Sequence, residues 1–378
     1  MDDRIRGLQT YPMIELSRRR AALEEGGVRV LDFGTGDPRE PTAPHIRQAL
    51  MDAVPEVSQY PSIKGTPAVR EAYVGYVKRR FGVDLDPESE VIPSRGSKEA
   101  IFHVPLVTVE VGGARDTVVY PEPGYPVMEI GTLYSTARRH PVALDATNAY
   151  RMHPDAIAPE ILDRAALVWI NYPHNPTGQD LPEDIWRAWV AARERHGFIL
   201  CSDECYTEIY FGSPPRSLLE FGREGCLVFH SLSKRSGMTG FRSGMVSGDP
   251  ELLARYRAQR AGFGQANPVF IEAAAAAAWS DDTHVADRVG VFGRKRAILL
   301  KGLAALGLEV YPTTSTFYMW VRAPEGESGT TYANRLLEHG ILVSPGAFFG
   351  AGNEGFFRIA LVPSVAGCEE ALERWAAL

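Results

Sequence analysis

Short apolar, β-branched runs recur through the middle of the chain, each followed by polar residues and then by a longer stretch with helical spacing. The runs are DTVVYPEPGYP, AALVWINYPHNPTG, GFILCSDECYTEIYF and GCLVFHSLSK. From the second onward they lie about thirty residues apart, the repeat of a strand, a crossover helix and the next parallel strand. This spacing predicts an α/β body with a mostly parallel central sheet flanked by helices. Between the second and third runs, LPEDIWRAWVAARERHG places Ile185, Trp186, Trp189 and Val190 on one stripe with charges opposite. Gly197 is positioned to stop that helix. The alanine-rich residues 273–279, bounded by Glu272 and Ser280, predict a buried helix and are too few to cross a membrane.

The C-terminal part reads differently. RVGVFGRKRAILLKGLAALG is a long helical segment. Beyond it come short strand-like runs in LEVYP, FYMWVRAP, ILVSPGAFFG and FFRIALV, with helices at YANRLLEHG and at the end of the chain. The pattern predicts a smaller α+β domain built from residues 1–44 and 276–378, beside a large domain of residues 45–275. Before the first strand-like run, a helical stretch leads into LDFGTGDPREP, whose glycine and proline density marks a loop.

Each apolar run of the large domain releases polar residues at its end: Asn175, then Asp203, then Ser231 and Lys234. Ligands of open parallel sheets bind beyond the carboxyl ends of the strands, so these residues are expected to converge in one crevice. A lysine near another cation and partly desolvated becomes a nucleophile toward an aldehyde. A buried aspartate opposite a pyridine nitrogen keeps that nitrogen protonated and the ring electron-accepting. A phosphate needs donors, and SRGSKEAIFHV offers a glycine and a serine at a helix start. Ser231, Ser233 and Arg242 complete such a cup, with Arg242 as a forked clamp. Together these are the demands of pyridoxal phosphate.

Composition narrows the alternatives. The 378 residues are 45% hydrophobic and 23% charged with a net charge of −7, which excludes broad attraction to nucleic acid or anionic membranes. An anionic ligand must therefore be held by a few placed cations. MDDRIRGLQTYPMIELSRRR has neither the apolar core nor the cleavage pattern of a secretory signal, which points to a cytoplasmic protein. Cys201, Cys205, Cys226 and Cys368 show no paired spacing and the nine histidines no ligand motif, so no metal is expected.

NYPHNPTG, SDECY, SLSKRSGMTGFRSG, PEPGYP and FRIAL together resemble the motifs of class I/II aminotransferases of the fold-type I pyridoxal phosphate family. The resemblance runs from about Leu31 to the C-terminus, with the motifs in the family's order. It implies that Lys234 carries the cofactor as a Schiff base and moves the proton at the substrate Cα, while Asp203 pairs with the pyridinium nitrogen. Asn175 and Tyr206 match the residues that hydrogen-bond the ring's phenolic oxygen, and Tyr125 matches the aromatic that stacks on the ring. Gly96, Ser97 and Lys98, with Ser231, Ser233 and Arg242, match the phosphate cup. Arg358 resembles the arginine that grips the substrate α-carboxylate, assisted by Asn175 and the backbone at Gly36. Tyr60 in SQYPSIKG resembles a tyrosine that reaches the neighbouring subunit's phosphate, which implies a homodimer with shared sites.

Within the family, GTGDPREPTAP, SQYPSIKG, SDECYTEIYF and SLSKRSG most resemble succinyldiaminopimelate aminotransferases of lysine biosynthesis, with glutamate the expected donor. A long anionic acyl substrate would want a second cation at the pocket mouth, for which Arg39, Lys64 and Arg235 are the candidates. A carbon–sulfur β-lyase on the same scaffold would share Lys234, Asp203 and Arg358. The sensor half of a transcription regulator is a third alternative, but the chain's acidity suits DNA poorly.

Overall fold

The structure is a computed structural model that describes residues 12–110 and 112–378. Residues 1–11, and with them much of the stretch read for a secretory signal, lie outside the described residues. The strands, in chain order, are β1 (Leu31–Asp32), β2 (Val91–Ser94), β3 (Thr117–Glu122), β4 (Arg138–Ala143), β5 (Ala165–Asn171) and β6 (Ile199–Asp203). They continue as β7 (Cys226–Ser231), β8 (Gly244–Gly248), β9 (Tyr318–Arg322), β10 (Ile341–Leu342), β11 (Ser344–Pro345) and β12 (Phe356–Ala360).

Seven of them form one sheet in the order β2-β8-β7-β6-β5-β3-β4. The pairs from β4 through β3, β5 and β6 to β7 are parallel, which for β5, β6 and β7 is what the thirty-residue repeat predicts; β8 runs antiparallel to β7 and to β2. Every residue of β5 is buried, because helices cover both faces of a sheet of this kind. Its side chains alternate between two cores. Val168 and Ile170 pack with Trp186, Trp189 and Tyr73, whereas Leu167 and Trp169 pack with Ile101, Val104 and Met128.

The helix Glu183–His196 buries Trp186 and Trp189 and ends at Gly197 with φ 71°. The alanine-rich segment is a helix, Val269–Ser280, packed against helices Pro44–Asp52 and Pro67–Phe81. Its Ala274, Ala275 and Ala278 are fully buried, where small side chains let the helix axes approach. Among the described residues, no helix is long and apolar enough to cross a membrane.

Three strands of the large sheet escaped the reading of apolar runs. β4, RRHPVA, is an edge strand with exposed arginines, the charged character that protects an edge from pairing further. β2 and β8 are short and broken by proline or glycine. LEVYP, expected as a strand, contributes only a single bridge between Val310 and Val321.

The remaining strands form a parallel pair β1-β10 and an antiparallel sheet β11-β12-β9. Leu31 and Phe33 share a hydrophobic cluster with Phe292, Leu299, Met319, Phe357, Ile359 and Trp375. The loop after β1 is thereby anchored to the C-terminal part of the chain and held above the ends of the large sheet. Because Gly197 occupies the left-handed region, Gly197→Ala is expected to lower stability by about 1 kcal/mol. Urea unfolding monitored by circular dichroism measures this, and an unchanged midpoint would contradict the capping role.

Candidate active site

Register brings the strand ends together. Asn171 of β5 pairs with Asp203 of β6, which pairs with Phe229 of β7, and Ser231 at the end of β7 pairs with Gly244. The Asn171 side chain then organises the next turn. Its Nδ2 donates to the Asp203 carbonyl at 2.9 Å and its Oδ1 accepts from the Asn175 amide at 3.2 Å. Beyond these ends lies a cavity of about 470 Å³ that receives Asn175, Asp203, Tyr206, Ser231, Ser233 and Lys234.

One end of the cavity is built for an anion. Ser97 and Lys98 open the helix Ser97–Thr108, and Gly96 precedes it with φ 78°. A Cβ at Gly96 would lie 2.7 Å from Arg242 Nη2, so glycine leaves the guanidinium its place. Arg242, with Nη1 3.5 Å from Ser233 Oγ, is oriented by donating to the Thr239 carbonyl at 2.9 Å. Ser231 Oγ accepts from the Ser233 amide at 3.2 Å. Helix amides, two hydroxyls and two cations therefore face one volume.

Lys234 sits in the middle, on the short helix Leu232–Arg235 that follows β7. Its Nζ donates to the carbonyl of Gly36. Burial holds its pKa down to about 8; Arg358 and Arg242 push the same way, while Asp37 opposes them. Lys98 also lines the cavity, and its pKa is lowered by burial and by Arg242.

Asp203 lies at the base, at the end of β6. Burial pushes its carboxyl up to about 6, against hydrogen bonding from Cys205, whose amide donates at 3.3 Å. No cation lies within ion-pair distance of it among the described residues. A buried carboxylate in that position is short of a positive partner.

Arg358 closes the opposite side from β12. Nη1 donates to Asn175 Oδ1 at 2.9 Å and Nη2 to the Gly34 carbonyl at 2.8 Å. The guanidinium is sandwiched by Tyr318, 4.0 Å from the ring centroid, and Phe349, 4.6 Å away. Among the described residues its Nε is buried without a partner, a donor left for a ligand. Tyr206 and Tyr318 hydroxyls lie 3.1 Å apart, and burial keeps the Tyr206 phenol protonated. Gly36 has no room for a side chain, since a Cβ would collide with the Tyr318 hydroxyl.

The structure thus gathers Gly36, Ser97, Lys98, Tyr125, Asn175, Asp203, Tyr206, Ser231, Ser233, Lys234, Arg242 and Arg358 around one cavity, with Gly96 against Arg242. Tyr60 stands apart and is fully exposed. The three candidate second cations are elsewhere. Arg39 faces Asp32, Lys64 pairs with Glu88, and Arg235 is buried, pairing with Asp282 over the Tyr76 and Trp279 rings. Arg235 corrects the reading that it is a pocket-mouth or solvated charge: its neighbours are brought in by helices distant in sequence.

Tyr318, Phe349, Asp37 and the Gly34 carbonyl join the site without having been anticipated. Their places depend on the pairing of β9 with β12 and on the loop after β1, which no local motif announces. His45, Asp281 and His284 also cluster. Both ring nitrogens of His284 are already engaged, by Asp281 Oδ2 at 2.6 Å and Ser236 Oγ at 2.8 Å, which explains the group as a helix start.

A sequence profile of the family "Aminotransferase class I and II" matches residues 28–374. LL-diaminopimelate aminotransferase 2 of Trichormus variabilis is 37% identical over 98% of this chain and 96% of its own length. The crystal structure of an aminotransferase from Neisseria meningitidis superposes with a TM-score of 0.91 at 32% identity, covering 100% of this chain and 99% of that one. A probable N-succinyldiaminopimelate aminotransferase from Thermus thermophilus gives 0.88 at 25% identity, covering 96% and 98%.

The chain belongs to the class I and II aminotransferases, with the fold-type I architecture. It is a pyridoxal phosphate-dependent transaminase. The residues present fit that cofactor: Asp203 lacks a cation that a protonated ring nitrogen would supply, and Gly96 leaves the anion cup open beside Arg242.

With a pKa near 8, roughly one-tenth of Lys234 is the free amine at pH 7, against less than about one in a thousand for an unperturbed lysine. The rate at which apoenzyme captures pyridoxal phosphate, followed by visible absorbance, is therefore expected to rise about tenfold between pH 7 and 9 and then level off. A rise that continues to pH 10 would mean that burial does not free the amine.

Proposed function

We propose that the chain exchanges an amino group between LL-diaminopimelate and 2-oxoglutarate, with glutamate as the other amino acid of the pair. The observation that carries the chemistry is the placing of a buried Asp203, with no cation beside it among the described residues, and a partly buried Lys234 in one cavity. The substrate rests on the diaminopimelate relative, whose identity to this chain exceeds that of the N-succinyldiaminopimelate enzyme. The absence of Arg39, Lys64 and Arg235 from the cavity also weighs against a long acyl carboxylate.

Bound in the cavity, pyridoxal phosphate supplies an electron sink for the charge left when the substrate Cα loses its proton. Ser97, Ser231, Ser233, Lys98 and Arg242 would hold its phosphate, Asp203 its ring nitrogen, Asn175 and Tyr206 its phenolic oxygen, and Tyr125 its ring face. Arg358 binds the substrate α-carboxylate, and its stacked, hydrogen-bonded guanidinium presets the fork before substrate arrives. Asn175 orients Arg358 from the side. Lys234, as the free amine, takes the proton from the substrate Cα, a role its lowered pKa suits.

Residues 45–275 would form the cofactor-holding domain, with residues 1–44 and 276–378 as the smaller one. Met51, Val54, Val57 and Tyr60 are exposed on one short stretch. We assign this stretch to the contact between two copies of the chain, with Tyr60 reaching the partner's phosphate cup.

Purified enzyme given LL-diaminopimelate and 2-oxoglutarate is expected to form glutamate; product only from N-succinyl-LL-diaminopimelate would overturn the substrate. Lys234→Ala is expected to lose at least about a thousandfold in turnover while keeping the fold. Retained turnover would remove the lysine from its role. Arg358→Lys should raise KM for amino acids roughly ten- to hundredfold with little change in cofactor affinity. An unchanged KM would place the α-carboxylate elsewhere.

A further inference from the structure

Among the described residues, six charged side chains line the cavity: Asp37, Lys98, Asp203, Lys234, Arg242 and Arg358. Five have work to do in any amino-group transfer on a phosphorylated pyridine. Lys98 and Arg242 flank the anion cup, Asp203 lies at its base, Lys234 meets the reacting carbon, and Arg358 meets the α-carboxylate. Asp37 is the sixth, and it is negative.

Its placement is specific. Asp37 follows Gly36, whose carbonyl takes the Lys234 Nζ, and its own amide donates to the Thr35 carbonyl at 2.9 Å. The carboxylate is exposed and makes no hydrogen bond or ion pair among the described residues. It stands close enough to Lys234 to be the largest charge acting on that amine. The same cavity is also lined by Tyr318, Phe348 and Phe349, which carry no charge. Among the described residues, the cations lining the cavity are those already assigned to the cup, the reacting carbon and the α-carboxylate, so Asp37 is the charge left for a substrate tail. A tail ending in a lone carboxylate is repelled there, whereas one bearing an ammonium gains a partner.

Resting on the reading of the chain as a diaminopimelate transaminase, we propose that Asp37 is a specificity residue that binds the distal ammonium of the substrate. LL-diaminopimelate carries that ammonium on its sixth carbon, together with a carboxylate. Acylation of the distal nitrogen converts it to a neutral amide, so N-succinyl-diaminopimelate gives Asp37 no cation to pair with. Asp37 thus selects unacylated 2,6-diamino acids against their acylated forms.

The test uses two matched pairs of amino acids differing in the distal ammonium: LL-diaminopimelate against L-2-aminopimelate, and L-lysine against L-2-aminohexanoate. For each, the dissociation constant is read from the loss of visible absorbance of the holoenzyme titrated without keto acid, alongside kcat/KM. The wild type is expected to favour the ammonium-bearing member of each pair by about five- to tenfold. Asp37→Asn should bring both ratios close to one, and Asp37→Glu should keep most of the preference.

Ratios untouched by Asp37→Asn, or no preference in the wild type, overturn the inference. If Asp37→Asn instead weakens both members of each pair equally, the carboxylate serves Lys234 and not the substrate, which overturns it too. An Asp37-dependent preference for lysine in an enzyme that ignores LL-diaminopimelate would sustain the role of Asp37 and refute the substrate. Turnover of LL-diaminopimelate with an Asp37-independent ratio would do the reverse.

Discussion

A lysine that is to act as a free amine near neutral pH must be taken out of water without a carboxylate pressed against it. Lys234 meets that requirement. It is drawn partly out of water, it is not ion-paired among the described residues, and its one hydrogen bond there goes to a neutral carbonyl, that of Gly36. Asp37 opposes the effect from the loop without pairing with the amine, and two arginines in the same cavity add to it. Such an arrangement costs stability, and the parallel sheet bears it because strand ends are where backbone and side chains turn outward around a crevice. The same crevice strands Asp203 without a cation. Lysine and aspartate are therefore complementary deficits, each relieved by one cofactor.

The loop after β1 joins the two halves of the site. Gly34 offers its carbonyl to Arg358 and Gly36 offers its own to Lys234, so a cation from β12 and one from the short helix after β7 are held by carbonyls two residues apart. Their spacing is set by that loop. Its start is fixed by the pairing of β1 with β10 and by burial of Phe33 in the C-terminal cluster. Tyr318 fills the remaining gap, touching Tyr206, lying under Arg358 and forbidding any side chain at Gly36. The substrate and cofactor halves of the cavity are consequently built as one packed unit.

What the sequence disclosed follows from what is local in it. The runs that became β3, β5, β6 and β7 are apolar on both faces and end in polar residues, so their mostly parallel direction and converging ends were legible. The helix stopped by Gly197 was legible for the same reason. β4 was not, since an edge strand with exposed arginines carries no apolar run. Tyr318 and Phe349 enter the site through the pairing of distant strands, and a tyrosine inside FYMWVRAP looks like any core aromatic. Arg235 misled in the opposite direction. One residue from Lys234 it seemed a free charge, yet Asp282, Tyr76 and Trp279 bury it from far along the chain.

Two lysines, Lys234 and Lys98, line the cavity, and both are made less basic by burial. Lys234 is the less exposed of the two, extends to the loop after β1 and lies within the field of Arg358. Borohydride reduction of the holoenzyme, which fixes the cofactor to whichever lysine carries it, followed by peptide mass spectrometry, distinguishes them most directly. A pyridoxyl group on the peptide containing Lys234, at one per chain, is the predicted result. The label on Lys98, or spread over surface lysines, would contradict it.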